Sequence, residues 1–176
     1  MRLHDILLEG SDTHKKGLMV GFWVPPLQAE ALAQPGGEPP DELHVTLAYM
    51  GKGLRRTMVE RIAGVCAVYA AMRPPLSGRV ASSGKFPATV HSDGLEVLIA
   101  KPDVPGLMEF REGLVRRLKN AGAPVKETFD FCPHITLAYI PPGNNTLREL
   151  PQVPLRFQQL VMAVGGDRRY FTLGRI

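Results

Sequence analysis

An unbroken apolar run from Leu18 to Val24, closed by Pro25-Pro26, predicts a first strand. A Pro/Gly-rich loop over Gln34–Pro40 leads into His44–Met50, where Val, Thr, Leu and Tyr favour a second strand. The spacing then changes from two to three and four. Met58, Ile62, Val65 and Tyr69 form one stripe of a helix over Arg55–Met72, stopped by Pro74-Pro75. Leu76–Ser82 and Leu95–Ala100 predict two further strands, the second entered through the turn residues Ser92-Asp93-Gly94. Pro105–Asn120 predicts a helix with Leu107, Phe110, Leu114 and Leu118 on its apolar stripe, Arg116, Arg117 and Lys119 near its end, and Gly122 just beyond. A strand follows at His134–Ile140. Leu155–Val164 and Arg168–Leu173 predict a closing hairpin around Gly165-Gly166-Asp167. Strands and helices mixed in this way predict an α+β fold.

Two of these strands are near copies: His44-Val45-Thr46-Leu47-Ala48-Tyr49-Met50 and His134-Ile135-Thr136-Leu137-Ala138-Tyr139-Ile140. Coincidence at this level arises in roughly one chain in ten from average residue usage, so repetition alone decides little. The identity of the retained residues decides more. A strand duplicated for packing keeps apolar positions and lets polar ones drift, yet here His and Thr are kept while Val and Met become Ile. Side chains alternate along a strand, so His44 and Thr46 share one face and His134 and Thr136 share another, with Val45, Leu47 and Tyr49, and likewise Tyr139, predicted on the opposite, core side. A single strand histidine is more often a packing or surface residue than a catalytic one. Two, each beside a retained hydroxyl, point to a shared site.

At 176 residues and 44% hydrophobic content the chain has enough apolar surface for one domain. The net charge of +4 suits a small anionic ligand and falls short of a long nucleic-acid track. Cys66 and Cys132 fit no zinc spacing, so neither a disulfide scaffold nor a structural metal is expected, and Cys132 reads as a small buried residue entering a strand. Met1–Gly17 carries Asp5, Glu9 and Asp12 and lacks the apolar core of a secretory signal, and no segment has the length of a membrane span. A cytoplasmic monomer that does not meet a membrane is the expectation. His4, His14 and His91 lie in polar stretches and are read as surface residues.

The paired motifs resemble those of the 2H phosphoesterase superfamily, the LigT-like or 2′-5′ RNA ligase-like proteins, whose signature is two His-x-Thr/Ser motifs on strands flanked by hydrophobic residues. The resemblance covers about Leu18 to Leu173. It implies a bilobal 2H phosphoesterase fold of two pseudo-symmetric antiparallel β-sheet lobes with outer helices and a central cleft. The whole of 1–176 would form one domain, with lobes of approximately 18–75 plus 153–176, and 76–152. It also implies that His44, Thr46, His134 and Thr136 are the catalytic residues and that no metal or cofactor takes part.

Elementary chemistry leads to the same four side chains. Cleaving a phosphodiester requires a base for the attacking oxygen and an acid for the leaving oxygen, and imidazole serves as either near neutrality. Threonine hydroxyls stabilise charge on the non-bridging oxygens. The expected substrate is a nucleotide, a short RNA or a cyclic oligonucleotide, cleaved at a 2′,3′-cyclic phosphate or a 2′-5′ or 3′-5′ linkage. Hydrolysis of cyclic oligonucleotide second messengers and a non-catalytic RNA- or nucleotide-binding module are the alternatives. Aromatic and cationic residues that could hold a base or phosphate are Trp23, Lys85, Phe86, Arg168 and Tyr170, with Arg169 beside them.

Overall fold

The computed structural model of the chain describes residues 17–127, 130–143 and 149–174, so the N-terminal stretch with His4 and His14 lies outside the described residues. Its strands are β1 (Gly17–Trp23), β2 (His44–Lys52), β3 (Leu76–Phe86), β4 (Glu96–Asp103), β5 (Ile135–Ile140), β6 (Pro154–Phe157), β7 (Gln159–Val164) and β8 (Asp167–Thr172). Its α-helices are α1 (Pro26–Leu32), α2 (Arg56–Ala71) and α3 (Leu107–Asn120). The strands form one sheet in the order β6-β3-β4-β5-β2-β1-β7-β8, every neighbouring pair antiparallel. The architecture is α+β. No described helix is long and apolar enough to cross a membrane.

Four strands lie on each side of the β2–β5 junction, and the junction itself is narrow: Val45 and Ile135 are its paired residues. The sheet therefore consists of two halves that diverge on leaving this pair. The segment expected as one strand over Leu155–Val164 breaks at Gln158. Its first part pairs with β3 in one half, and its second pairs with β1 and β8 in the other. Apolar patterning alone does not reveal such a crossing, because Leu155, Phe157 and Leu160 are buried on both sides of it. β3 runs four residues beyond the predicted Ser82, to Phe86. Helix α1 answers to no predicted element; it starts with Pro26 in its first turn and buries only Ala29 and Leu32, too few apolar positions to show a period.

Helices α2 and α3 cover one face of the sheet. The predicted stripes are the buried ones: Ile62 and Tyr69 on α2, with Leu107, Phe110, Leu114 and Leu118 on α3, join Val20, Phe22, Val45, Leu47, Ala100, Ile135 and Leu137 from the strands in one core. Phe22 stacks on Phe157 with ring centroids 4.8 Å apart and packs against Phe110 at 5.0 Å. The two helices approach closely where the Tyr69 hydroxyl donates to the Phe110 carbonyl at 2.9 Å, a contact that Gly113 permits because a Cβ there would lie 2.2 Å from that hydroxyl.

Both His-Thr strands carry a β-bulge at the same place in the repeat. Across β1–β2 the pairing steps from Val20↔Ala48 to Gly21↔Thr46, leaving Leu47 as the extra residue. Across β4–β5 it steps from Leu98↔Ala138 to Ile99↔Thr136, leaving Leu137. A bulge breaks strict alternation. Leu47 and Ala48, like Leu137 and Ala138, consequently all face the core. The expectation that Tyr49 lies opposite His44 is thereby corrected: Tyr49 packs with Met19, Ala163 and Trp23 in a separate cluster on the histidine face. The register places Tyr139, opposite Val97, on the corresponding face of the other half.

Candidate active site

The Val45↔Ile135 pair sits one residue after each histidine. In an antiparallel ladder this register sets His44 opposite Thr136 and Thr46 opposite His134, so each imidazole approaches the hydroxyl of the other motif. Backbone pairing, rather than loop geometry, brings the four side chains together at the point where the half-sheets diverge. His44 begins β2, whereas His134 lies one residue ahead of β5, a small departure from the expected strand position.

Both imidazoles are held in the same way. Nδ1 of His44 lies 2.6 Å from the Glu42 carbonyl, and Nδ1 of His134 lies 2.8 Å from the Cys132 carbonyl. A carbonyl only accepts, so each Nδ1 carries the proton and donates it. This fixes the tautomer and leaves Nε2 of both rings as the unprotonated nitrogen. The sequence reads Cys132 as a buried packing residue; its side chain is instead exposed, and its part in the site is played by its backbone oxygen.

Nε2 of His44, Oγ1 of Thr136 and Nε1 of Trp23 are buried with no hydrogen-bond partner among the described residues. His44 is 3% exposed and Thr136 4%. A buried polar atom without a partner costs about 1–3 kcal/mol, and a cluster of them is the mark of a site shaped for a polar ligand. Thr46 is less enclosed, and its hydroxyl has the Met19 sulfur as a weak acceptor at 3.8 Å.

Burial drives the His44 pKa down to about 4 against an upward pull from its bond to Glu42, and the positive charges of Arg168 and of a protonated His134 lower it further. Burial also lowers the His134 pKa, partly offset by its bond to Cys132. Both rings are thus neutral at pH 7 in the free chain. The charge of a protonated His134 reaches His44, which places the two rings near one another.

Aromatic rings and cations surround the pair unequally. Trp23, opposite His44 in the β1–β2 ladder, stacks on its ring at 4.7 Å, and the Arg168 guanidinium lies 4.7 Å from the Trp23 ring. Arg168 also bonds the Glu42 carboxylate at 2.9 Å, so it steadies the residue whose carbonyl orients His44. Phe86 meets His134 edge-on at 5.0 Å. Of the other residues singled out in the sequence, Lys85 pairs with Glu96 at 3.0 Å, and Arg169 is drawn from the histidines by two bonds, of 2.7 and 2.9 Å, to Glu60 on α2. Half-exposed Tyr170 lines a pocket together with Trp23 and Arg168. Among the described residues no three His, Cys, Asp or Glu side chains gather as a metal ion requires.

Two further residues, not found from the sequence, tie the halves together at the bulges. The Arg111 Nε on α3 donates to the Leu47 carbonyl at 3.2 Å, while its guanidinium lies over Phe131 at 4.7 Å and bonds Glu127 at 3.4 Å. Arg111 therefore holds the bulge that follows Thr46 and also the segment that leads into His134. In the reciprocal direction, the Glu38 amide, in the loop that precedes β2, donates to the Leu137 carbonyl at 2.8 Å. Gly37 permits this approach, since a Cβ there would stand 2.4 Å from that oxygen. Each motif is fastened by the chain that introduces the other. Arg111→Met keeps the apolar stem and removes both polar ties; the expected result is a kcat about tenfold lower with KM nearly unchanged and a melting temperature a few degrees lower. Steady-state kinetics beside thermal melts check it.

No family model and no curated protein matches the chain. Among solved structures it is similar to TT0787 of Thermus thermophilus, with TM-score 0.68 and 21% identity over 89% of this chain and 94% of that one. It is also similar to Escherichia coli LigT in its apo form, with TM-score 0.62 and 19% identity over 91% and 95%, and to Kluyveromyces marxianus Usb1, with TM-score 0.58 and 10% identity over 89% and 97%. A further similar structure is described as a phosphoesterase, with TM-score 0.63 and 18% identity over 91% and 96%. The chain shares the LigT-like fold of these structures.

Proposed function

We propose that this chain is a metal-independent phosphodiesterase that cleaves a nucleotide or RNA-derived phosphodiester with His44 and His134 as acid and base and Thr46 and Thr136 as donors to the phosphoryl oxygens. The observation that carries this reading is the set of buried, unpartnered atoms at the meeting of the half-sheets, above all His44 Nε2 and Thr136 Oγ1. A phosphodiester oxygen accepts from a threonine hydroxyl, and an attacking or leaving oxygen exchanges a proton with Nε2. One phosphate therefore satisfies groups that the protein leaves unsatisfied. That E. coli LigT, which shares the fold, has been solved with 3′-AMP, with ATP and with NADP+ supports a nucleotide as the ligand here.

In the reaction, a neutral imidazole takes the proton of the attacking oxygen as the new P–O bond forms. A protonated imidazole gives its proton to the departing oxygen as the old bond breaks. With a 2′,3′-cyclic phosphate the attacker is water; with a 2′-5′ or 3′-5′ linkage it is the neighbouring ribose hydroxyl. The bound phosphate carries negative charge, which favours one proton on the histidine pair and opposes the desolvation that keeps both rings neutral in the free chain. Burial first, and the charge of Arg168 in addition, disfavour that proton on His44, so in this reading it rests on His134 and His44 is the base.

The pH dependence follows from these directions. Activity requires one neutral and one protonated ring. kcat/KM reports the free protein; it rises as His44 loses its proton near pH 4 and falls as His134 loses its own at a pH below 6.5. The expected kcat/KM profile is a bell on the acid side of 6.5, with the kcat profile displaced to higher pH by the bound phosphate. A kcat/KM that still climbs above about pH 7.5 contradicts the assignment.

A further inference from the structure

The half-sheet that holds His134 carries, on its histidine face, a cation that the proton exchange does not use. Ile99 on β4 pairs with Thr136 on one side and with Gly84 on the other, so these three positions share that face. Lys101, two residues further along β4, shares it with them, and Ser82, its partner on β3, completes the row. Lys85, the lysine that stands out in the sequence, takes the opposite face, since its partner Leu98 belongs to the core.

Lys101 lies flat on the sheet. A Cβ at Gly84 would stand 2.8 Å from its Cε and 3.4 Å from its Nζ, so the lysine stem crosses the bare backbone of β3, and the glycine makes the space for it. Among the described residues no carboxylate pairs with this ammonium, and Asp103, on the same strand, is engaged by Arg79 at 3.9 Å. Arg168, a cation of the other half, is by contrast offset by Glu42. The backbone beside Lys101 is open as well. β6 pairs with β3 over Leu76–Arg79, so from Ala81 to Phe86 the outer edge of β3 has no strand against it among the described residues, and every second amide there faces outward. An unpaired ammonium, the exposed Ser82 hydroxyl and open amides are all donors, the composition of a phosphate site.

Position decides which phosphate. Across the sheet the order is β2 with His44, β5 with His134 just ahead of it, β4 with Lys101, and β3 with Gly84, so Lys101 lies beyond His134 as seen from His44. Its ammonium, over β3, is two strand spacings, about 10 Å, from the strand of His134. That is too far for the phosphate held between the histidines and within reach of the next one along a nucleic-acid strand. Phe86, two residues after Gly84 and edge-on to His134 at 5.0 Å, makes the surface between them continuous.

We propose that Lys101 and Ser82 form a second phosphate site, which takes the phosphate next to the scissile one on the leaving side of the substrate, so that the chain acts on an oligonucleotide in preference to a lone phosphodiester. The proposal rests on the phosphodiesterase reading, in which His134 protonates the departing oxygen and the group beyond it is the leaving one.

The experiment measures kcat/KM of the full chain for a 3′-5′ dinucleoside monophosphate, for the same compound with an added 3′-phosphate on its leaving nucleoside, and for the isomer with the added phosphate on the 5′-oxygen of the attacking nucleoside. Calorimetric titration with the 2′-deoxy counterparts, which lack the attacking hydroxyl, reads binding alone. The expected result is that the 3′-phosphate improves both quantities about tenfold and the 5′-phosphate neither. Lys101→Met keeps the apolar stem and should bring the ratio between the first two compounds to about one, whereas Lys101→Arg should retain it, and added salt should lower it. Lys101 is exposed, so both replacements leave the core in place. A ratio of one in the unaltered chain overturns the proposal, as does an equal gain from either added phosphate, or a ratio that survives Lys101→Met. Binding that gains from the 3′-phosphate through Lys101, without cleavage of any phosphodiester, leaves the second phosphate site standing and removes the phosphodiesterase reading instead.

Discussion

Replacing His134 with Ala should lower kcat by about a thousandfold, and the same change at His44 should do likewise, because each removes one partner of the proposed proton exchange and general acid–base catalysis contributes about 10² to 10⁴ per group. The pair acts as a unit, so the double variant should be little slower than the worse single one, where independent contributions would multiply. Stability separates the two sites. His134 is partly exposed at the edge of β5, so its truncation should leave the melting temperature nearly unchanged; His44 is stacked under Trp23, and its truncation opens space there and lowers the melting temperature by a few degrees. Single-turnover rates with calorimetry on the three variants test this. Near-normal turnover in folded His134→Ala is incompatible with the mechanism.

Thr136→Val is the second large effect, and its two consequences have opposite signs. Valine matches threonine in shape and removes a buried hydroxyl that has no partner among the described residues, so the folded state should be unchanged or stabilised, by up to about 1 kcal/mol. The same hydroxyl is the proposed donor to a phosphoryl oxygen, and loss of one such donor typically costs about 10² to 10³ in kcat. A more stable, far slower protein is the signature of a polar group kept for a ligand rather than for the fold. Thr46→Val should cost less, since that hydroxyl is more open and already directed to the Met19 sulfur. A Thr136→Val variant that is destabilised and fully active reverses both signs and removes the threonine from the site.

The four central residues are legible in the sequence because their information is local. The strand alternation that puts His44 beside Thr46 depends on two neighbouring residues, and the repeat shows that the polar face is the retained one. Helices α2 and α3 are legible for the same reason, since several turns of apolar spacing outweigh local exceptions. What the sequence hides depends on contacts between distant segments. The bulges at Leu47 and Leu137 are set by the partner strands, and they turn Tyr49 onto the histidine face against the simple alternation. The crossing at Gln158 is a change of partner within one apolar run. Arg111 lies among other helix cations and is distinguished from them only by the Leu47 carbonyl it reaches, whereas Arg169, equally prominent in the sequence, is held by Glu60. Lys85 illustrates the same limit: Glu96, which it meets across the β3–β4 ladder, is eleven residues away.

The most direct measurement is turnover of nucleoside 2′,3′-cyclic phosphates and of 2′-5′ and 3′-5′ dinucleotides by the purified chain in excess EDTA, with the position of phosphate in each product identified. Sustained cleavage in chelator, giving one phosphate regioisomer and abolished in His44→Ala and His134→Ala, is the predicted result. Activity that dies in EDTA and returns with a divalent cation, or no cleavage of any of these phosphodiesters by the folded chain, contradicts it.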